Sequence, residues 1–252
     1  MTRASAKPLI VIPARLNSQR LPSKALADIG GRPMIAHVVE RALEAGLGRV
    51  AVATDAEEIA RAARDAGAEA ALTSRDHACG SDRVGEAAER LDPHRACGVV
   101  VNLQGDQPFL PRGALAAAVA LLEEDAAVDI ATLAAPLPGA EADDPDIPKL
   151  VGARIGRHRL RALYFTRARA PFGDGPFLHH LGVYAFRRAA LERFVALPVS
   201  ELERRERLEQ LRALEAGMRI DVALLDKPAL SVDTHTGLEA ARRAAGASGE
   251  DA

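Results

Sequence analysis

Two aspartates, Asp106 and Asp233, each follow a short apolar segment and precede a turn in the sequence. Asp106 lies in the stretch 98–108, where a run of valines bounded by Gly98 and Pro108 gives way to polar residues. Such a run is typical of a buried strand in a parallel α/β sheet, and these sheets bind ligands at the carboxyl ends of their strands. Two carboxylates there can hold Mg²⁺ together with water and substrate phosphates. On this stretch alone a turn-forming role is an equal alternative for Asp106, and its pairing with Asp233 is a spatial hypothesis.

A basic loop follows the first apolar segment of the chain, residues 9–14. The loop carries Arg15, Arg20 and Lys24, shows no helical period, and matches neither the dinucleotide-binding glycine pattern nor the P-loop. Its cations can hold a polyphosphate through charge-assisted hydrogen bonds. A solvated basic loop is the alternative. We favour phosphate binding because the loop leaves the first predicted strand at the functional edge of the sheet.

A second polar loop precedes a predicted helix. Ser81 or Asp82 is expected to cap that helix, and a helix N-terminus also favours anions. Arg75 and Arg83 add positive charge to the same region. His77 is too isolated in the sequence to be predicted as a metal ligand.

Together these residues indicate nucleotidyl transfer. That reaction needs cations on the leaving pyrophosphate, a metal ion on the α-phosphate and an aligned acceptor, but no side-chain nucleophile. The absence of a nucleophile-elbow motif from the sequence agrees with this chemistry.

The elements that position these residues alternate between strand and helix up to residue 137, which predicts an α/β fold with a mostly parallel twisted sheet flanked by helices. The strands predicted at 149–155, 160–166 and 180–186 have short connections, which indicates antiparallel pairing. We predict a single domain over 1–252, with a subregion at about 138–187 that widens the sheet or forms an arm against a second subunit.

Two helix caps follow from residue types. Asp55 is expected to cap the helix after the second long strand. Ser200 and Glu203 have capping-box spacing, and we predict one helix from there to Glu215. The charges at 201–207 are expected to form a solvated helix face.

Composition excludes several classes of protein. The chain has 252 residues, of which 48% are hydrophobic and 3% aromatic, and its formal net charge of −2 argues against a protein that coats nucleic acid or an acidic membrane. No stretch approaches the length of a membrane span, and the N-terminus does not resemble a signal peptide. Cys79 and Cys97 show no metal or pairing pattern, so we expect reduced thiols in a cytoplasmic protein.

An ordered set of short segments carries a more specific signal. These segments cover nearly the whole chain and are VIPAR at 11–15, RLPSK at 20–24, GRPM at 31–34, VATD at 52–55, NLQGD at 102–106, LYFTR at 163–167, HLGVY at 180–184, LEQLR at 208–212 and VDT at 232–234. The set resembles the 3-deoxy-manno-octulosonate cytidylyltransferase family, also called the CMP-Kdo synthetases.

The resemblance implies a nucleotide-diphospho-sugar transferase-like (Rossmann-like) fold and a homodimer. It also implies that CTP and Kdo react with Mg²⁺ to give CMP-Kdo and pyrophosphate, for lipopolysaccharide biosynthesis. The anomeric hydroxyl of the sugar would attack the α-phosphorus in line.

The resemblance also implies roles for individual residues. The catalytic group comprises Arg15, Lys24, Asp106 and Asp233, and the two aspartates are the metal ligands. The nucleotide-binding group comprises Ala14, Arg15, Lys24, Arg75, Ser81 and Gln104. The sugar-binding group comprises Gln104, Arg167, His180, Tyr184, Glu209 and Gln210. From the residues alone, Arg167, His180 and Tyr184 are ordinary polar groups at sheet edges, and only the resemblance favours a sugar site.

Two alternatives stay open from the sequence. One is a cytidylyltransferase for another acidic sugar, such as an amino-substituted Kdo or a sialic-acid-like sugar. The other is a nucleotide-binding protein of the same fold without turnover. Ala25, Gln107 and His235 stand where many members of the family have Pro, Glu and Pro, and these departures bear on sugar choice rather than on the metal ligands.

Replacing Asp106 with alanine is expected to abolish turnover and to leave the fold intact, because the variant loses a metal ligand and no core side chain. Pyrophosphate release measured across a Mg²⁺ titration tests this, with circular dichroism as the check on folding. Wild-type activity in the variant would rule out the metal role of Asp106.

Overall fold

The computed structural model describes residues 7–17 and 21–247. The start of the chain and Arg20, one of the predicted phosphate-binding cations, lie outside the described residues. The strands in chain order are β1 Leu9–Ala14, β2 Asp28–Ile29, β3 Arg32–Pro33, β4 Arg49–Thr54, β5 Glu69–Leu72, β6 Val99–Leu103, β7 Ile130–Leu137, β8 Lys149–Arg154, β9 Arg159–Thr166, β10 Phe177–Arg187 and β11 Ile220–Leu224.

The α-helices interleave with these strands. They are α1 Met34–Glu44, α2 Glu57–Asp65, α3 Gly80–Leu91, α4 Ala114–Glu124, α5 Arg188–Ala196, α6 Glu201–Glu206, α7 Gln210–Glu215 and α8 His235–Ala247. The predicted mixed α/β composition is confirmed.

The chain forms two compact units. The first unit comprises Met1–Arg112 and Ala229–Ala252, and the second unit comprises Gly113–Pro228. The subregion predicted at about 138–187 falls within the second unit. Each unit is described by itself below.

The first unit contains four strands that pair in parallel in the order β5-β4-β1-β6. Every residue of β1 is buried, as expected for a strand that is covered on both faces. Pro13 lies beyond the part of β1 that pairs with β6, which ends at Val11, so its missing N–H interrupts no bond on that side. Because the strands are parallel, the segments that follow β1, β4 and β6 emerge at one edge.

The second unit has the strand order β10-β7-β11-β9-β8. Only β7 and β11 pair in parallel, and the pairs β10–β7, β11–β9 and β8–β9 are antiparallel. The antiparallel pairing predicted for β8, β9 and β10 is therefore observed. The register of β10 against β7 shifts between Leu181 and Tyr184.

The segment after α5 differs from the sequence-based expectation. The sequence predicts one helix through Glu215, but α6 and α7 are separate because Arg207 adopts a left-handed φ of 55°. A left-handed residue ends an α-helix. The predicted capping box is confirmed, since Glu203 N donates to Ser200 Oγ at 3.3 Å and Ser200 N donates to Glu203 Oε2 at 3.2 Å.

Two other predicted caps are wrong. Asp55 does not cap α2, because its Oδ1 instead accepts a hydrogen bond from Leu16 N at 3.2 Å. Neither Ser81 nor Asp82 caps α3, because the helix already begins at Gly80. Both residues lie in the first turn, so residue type at a helix start located the helix but not its cap.

A buried ion pair holds α6 against α7. Arg212 donates from Nε to Glu203 Oε2 at 2.8 Å and from Nη2 to Glu203 Oε1 at 2.6 Å, and both side chains are less than one-tenth exposed. The guanidinium also lies over the ring of Phe194, 4.8 Å from its centroid. The prediction of a solvated charged face is therefore wrong for Glu203, which serves the packing of the two helices.

No helix among the described residues is long and apolar enough to cross a membrane. Neither Cys79 nor Cys97 takes part in a disulfide within the described chain.

Replacing Glu203 with alanine is expected to lower the free energy of unfolding by about 3–5 kcal/mol, because it leaves the Arg212 charge buried without its carboxylate. Glu201→Ala is the matched control on the same helix, since that side chain is 73% exposed and its replacement should cost less than about 0.5 kcal/mol. Chemical denaturation measures both values. Equal losses of unfolding free energy in the two variants would show that the buried Glu203–Arg212 pair is no more important for stability than an exposed charge.

Candidate active site

Asp106 and Asp233 lie side by side in the first unit. Val232 N donates to the backbone oxygen of Asp106 at 2.9 Å, and Phe109 and Leu230 form an isolated antiparallel bridge. These backbone bonds attach the segment before α8 to the loop that follows β6. The structure thus brings together the two carboxylates that the sequence could only propose as a pair.

The ammonium group of Lys24 lies between the two carboxylates. Its Nζ donates to Asp106 Oδ2 at 3.0 Å and to Asp233 Oδ1 at 2.8 Å. Burial lowers the pKa of Lys24, but the charges of Asp106 and Asp233 and their hydrogen bonds together outweigh it and raise the pKa above its ordinary value. Lys24 therefore stays cationic between the acids.

At Asp106, burial and a neighbouring negative charge both disfavour the ionised form of the carboxyl group. Burial raises the pKa of Asp106, and the nearby negative charge of Asp233 raises it further. Lys24 opposes both effects, but the pKa stays above its ordinary value. A pair of acids in this position requires a cation between them.

The loop that carries Lys24 is held by its own backbone and by the core. Ser23 N donates to the backbone oxygen of Leu16 at 3.2 Å, and Lys24 starts a 3-10 helix, Lys24–Leu26. Leu21 is buried in one apolar cluster with Met34 and Val232. Since Leu21 is close in sequence to Lys24 and Val232 adjoins Asp233, this cluster positions the cation and one of its carboxylates together.

A cavity of about 220 Å³ surrounds this triad. Its walls include six of the predicted residues, namely Ala14, Arg15, Lys24, Gln104, Asp106 and Asp233, together with Pro13, Ala25, Met34, His77, Cys79, Gly80, Arg83 and Gly105. The predicted residues Arg75 and Ser81 are placed differently. Arg75 is exposed and Ser81 is fully buried, where its hydroxyl accepts a hydrogen bond from Asn102 Nδ2 at 3.1 Å.

Two glycines allow the backbone segments around the cavity to approach closely. A Cβ at Gly105 would lie 2.9 Å from the carbonyl oxygen of Pro13, and a Cβ at Gly80 would lie 3.0 Å from Gln104 Nε2. The absence of a side chain at Gly105 lets the loop after β6 lie against β1, and the absence of one at Gly80 lets the N-terminus of α3 lie against Gln104 on the cavity wall. The positive end of the α3 helix dipole favours an anion there.

Arg83 is a site residue that sequence reasoning considered but did not assign. Its side chain is only 4% exposed, Nη1 donates to Thr73 Oγ1 at 2.6 Å, and Nη2 lies 3.7 Å from Asp55 Oδ2. Burial is the largest effect and lowers the pKa of Arg83, against the opposing charge of Asp55. Sequence reasoning had no signal for the pairing of Arg83 with Asp55, because Asp55 was expected to cap α2.

The second unit holds a separate buried polar network. Tyr184 Oη donates to Gln210 Oε1 at 3.0 Å, and Gln210 Nε2 lies 3.3 Å from His180 Nδ1. On the other side of the ring, His180 Nε2 lies 2.9 Å from Thr132 Oγ1, which donates to the backbone oxygen of Val183 at 2.6 Å. Because the amide nitrogen can only donate, Nδ1 of His180 accepts and Nε2 donates. Three predicted sugar-binding residues are therefore brought together.

Glu206 holds Arg167, another predicted sugar-binding residue of the second unit. Its carboxylate accepts from Thr166 Oγ1 and from Arg167 N, each at 2.8 Å, and from Tyr164 Oη at 3.3 Å. The guanidinium of Arg167 donates to the backbone oxygen of Glu206 at 2.8 Å. Glu209 occupies the N-cap position of α7. Sequence reasoning missed Glu206 because it belongs to the charge series that was predicted as a solvated face.

Acid is expected to destabilise the fold through two imidazoles, that of the buried His180 and that of the half-buried His179. Burial lowers the pKa of His180 to about 3 and that of His179 to about 4, so both stay neutral in the folded chain. The unfolded chain takes up these protons below about pH 6.5. The stabilisation is thus complete above that pH and is lost as the pH falls, with a limiting slope of about 1.4 kcal/mol per pH unit for each histidine.

Urea denaturation at a series of pH values between about 7 and 4 measures this slope. His180→Asn removes one of the two titrating rings, and its free energy of unfolding should depend less steeply on pH than that of the wild type. An unchanged slope would contradict the burial of a neutral His180.

Comparisons with known proteins agree with this geometry. A family model described as cytidylyltransferase matches residues 9–220. The 3-deoxy-manno-octulosonate cytidylyltransferase of Azorhizobium caulinodans is 60% identical over 243 residues, which cover 96% of this chain and 97% of the relative. The enzyme of the same name from Methylobacterium radiotolerans is 59% identical over 236 residues, which cover 93% of this chain and 95% of the relative.

Solved structures give the same result for the fold. A CMP:2-keto-3-deoxy-manno-octonic acid synthetase complexed with CTP has a TM-score of 0.88 and 37% identity, covering 96% of this chain and all of that chain (100%). Apo UDP-glucose pyrophosphorylase has a TM-score of 0.72 at 14% identity, covering 96% of this chain and 99% of that chain. At this identity the match supports the fold alone. The predicted nucleotidyltransferase-like α/β fold is confirmed, and the chain belongs to the cytidylyltransferases, within the 3-deoxy-manno-octulosonate cytidylyltransferase family.

Proposed function

We infer that this protein activates Kdo with CTP, giving CMP-Kdo and pyrophosphate. The observation that carries the inference is the Lys24 ammonium held by Asp106 and Asp233 inside a cavity with cationic walls. The matched family catalyses a reaction that needs such a site. Because Kdo is a building block of lipopolysaccharide, the product would serve lipopolysaccharide biosynthesis in the cytoplasm.

The residues of the first unit suit the triphosphate of the nucleotide. Arg15 and Lys24 lie on the cavity wall and offer charge-assisted hydrogen bonds to phosphate oxygens. The N-terminus of α3 adds the positive end of its helix dipole, and Ala14 and Gln104 lie on the same wall. These groups would stabilise the negative charge that develops on the leaving pyrophosphate. The acceptor hydroxyl comes from the sugar, so no side chain forms a covalent intermediate.

Asp106 and Asp233 are suited to hold Mg²⁺. Their carboxylate oxygens already converge on one cationic nitrogen, and hard oxygen ligands of this kind are those that Mg²⁺ prefers. Among the described residues no group of three or more His, Cys, Asp or Glu side chains is arranged for a metal ion. Water and substrate phosphates would therefore complete the ligand set. When bound, Mg²⁺ would supply positive charge at the α-phosphate.

The acidic sugar is assigned to polar residues that the family resemblance identified. Arg167 supplies the positive charge that a sugar carboxylate needs, while Glu209, Gln210, Tyr184 and His180 supply hydrogen-bonding groups. In support, His180, Tyr184 and Gln210 form one connected network. Gln104 is assigned to sugar as well as nucleotide. Ser81 and Arg75 remain assigned to the nucleotide by resemblance alone.

The decisive experiment is pyrophosphate release from the purified protein with Mg²⁺, crossing CTP, UTP and ATP against Kdo, its amino analogue and a sialic acid. The expected result is that pyrophosphate is released only when CTP is combined with Kdo. Release with CTP and a different sugar would keep the chemistry and reassign the substrate. No release under any pairing, with CTP still bound, would favour a nucleotide-binding protein without turnover.

We also propose that the protein is a homodimer that uses the region at about 138–187. In support, Ile155 is 47% exposed and Leu163 is 57% exposed on the β8–β9 hairpin of this region, and large exposed apolar side chains are common at subunit contacts. Light scattering should give twice the mass of one chain, and Leu163→Asp should shift the population towards monomer. A monomer for the wild type at micromolar concentration would contradict the proposal.

A further inference from the structure

His77 lies on the wall of the same cavity as Lys24 and Asp106, yet the proposed reaction gives it no role. It belongs to the loop between β5 and α3, and its side chain is 20% exposed. Its isolation in the sequence argued against a metal ligand, and the structure gives it a different partner.

Glu86 on α3 fixes the imidazole of His77. Its Oε2 contacts His77 Nε2 and also accepts from Ser74 N at 2.9 Å, while its Oε1 pairs with the guanidinium of Arg90. Burial alone would raise the pKa of Glu86, but the hydrogen bonds from His77 and Ser74 and the charge of Arg90 outweigh it and lower the pKa. Glu86 therefore remains an ionised carboxylate.

The state of Glu86 determines the tautomer of His77. An ionised carboxylate can only accept hydrogen bonds, so Nε2 of His77 carries the proton. In a neutral imidazole the other nitrogen, Nδ1, is then an acceptor. Within residues 7–17 and 21–247 no hydrogen bond to this Nδ1 is found.

The wall of the cavity also carries three cationic side chains. Arg15, Lys24 and Arg83 donate only, and they suit phosphate oxygens, which cannot donate in return. The carboxylates of Asp106 and Asp233 already accept from Lys24. An acceptor such as His77 Nδ1 needs a donor on the ligand, and the base of CTP provides one in its 4-amino group, where UTP has a carbonyl oxygen.

We propose that His77 is a specificity-determining residue whose Nδ1 accepts a hydrogen bond from the 4-amino group of cytosine, and that Glu86 is the positioning residue that holds this tautomer. With UTP two acceptors would face one another, and the lost hydrogen bond would weaken binding. The inference rests on the proposed use of CTP and adds the group that distinguishes CTP from UTP.

The test compares the KM for CTP with the inhibition constant of UTP at about pH 8.5, where a free imidazole is neutral. His77→Leu removes the acceptor, and the preference for CTP should fall by about tenfold or more, mainly through weaker CTP binding. Glu86→Gln keeps the ring but can donate to Nε2, which allows the proton to move to Nδ1. This variant should lose preference for CTP and gain affinity for UTP.

Glu89→Gln is the matched control. Glu89 lies on the same helix, is half exposed and pairs with Arg95 at 3.8 Å rather than with His77. Its replacement should leave the ratio of the two constants unchanged.

Equal weakening of CTP and UTP by His77→Leu would place His77 against ribose or phosphate and overturn the proposal, as would unchanged constants in both His77→Leu and Glu86→Gln. If His77→Leu fails to fold, Glu86→Gln decides alone, since it retains the imidazole. If the wild-type protein turns over no nucleotide, the proposed function fails, and calorimetric titration of CTP and UTP still decides the role of His77.

Discussion

The shared ammonium of Lys24 is the contact on which the first unit depends. Two carboxylates next to each other in a partly buried site repel, and each would bind a proton more tightly without a cation between them. Lys24 satisfies both, so it joins the loop after β1 to the loop after β6 and to the segment before α8. The same acids that a metal ion would need are thereby held close together before any substrate arrives.

The strand framework of the first unit could be predicted because its signal is local. Leu9–Ala14 is apolar throughout and Val99–Leu103 is apolar except at Asn102. Such runs are typical of strands covered on both faces in a parallel sheet, whose carboxyl ends share one edge. That edge fixed where Asp106 had to lie. Which residue would balance its charge was not predictable from spacing, because Lys24 and Asp233 reach it from distant parts of the chain.

Predictions failed where a side chain had a tertiary partner stronger than its local one. Asp55 bonds to Leu16 N rather than capping α2. Glu203 belongs to a series of charges that was predicted to be solvated, yet it is buried and forms an ion pair with Arg212. The left-handed Arg207 breaks a stretch whose periodicity runs on through it. Periodicity and capping rules describe isolated segments, and each of these residues is decided by contacts outside its own segment.

The break at Arg207 has a consequence for dynamics. Helices α6 and α7 have six residues each, and helices of that length do not persist alone in water. Their order is supplied by the Glu203–Arg212 pair and by the bonds of Glu206 to β9. The segment should therefore open as one cooperative unit, and amide hydrogens in both helices should exchange with solvent at similar rates, below the protection of the neighbouring strands.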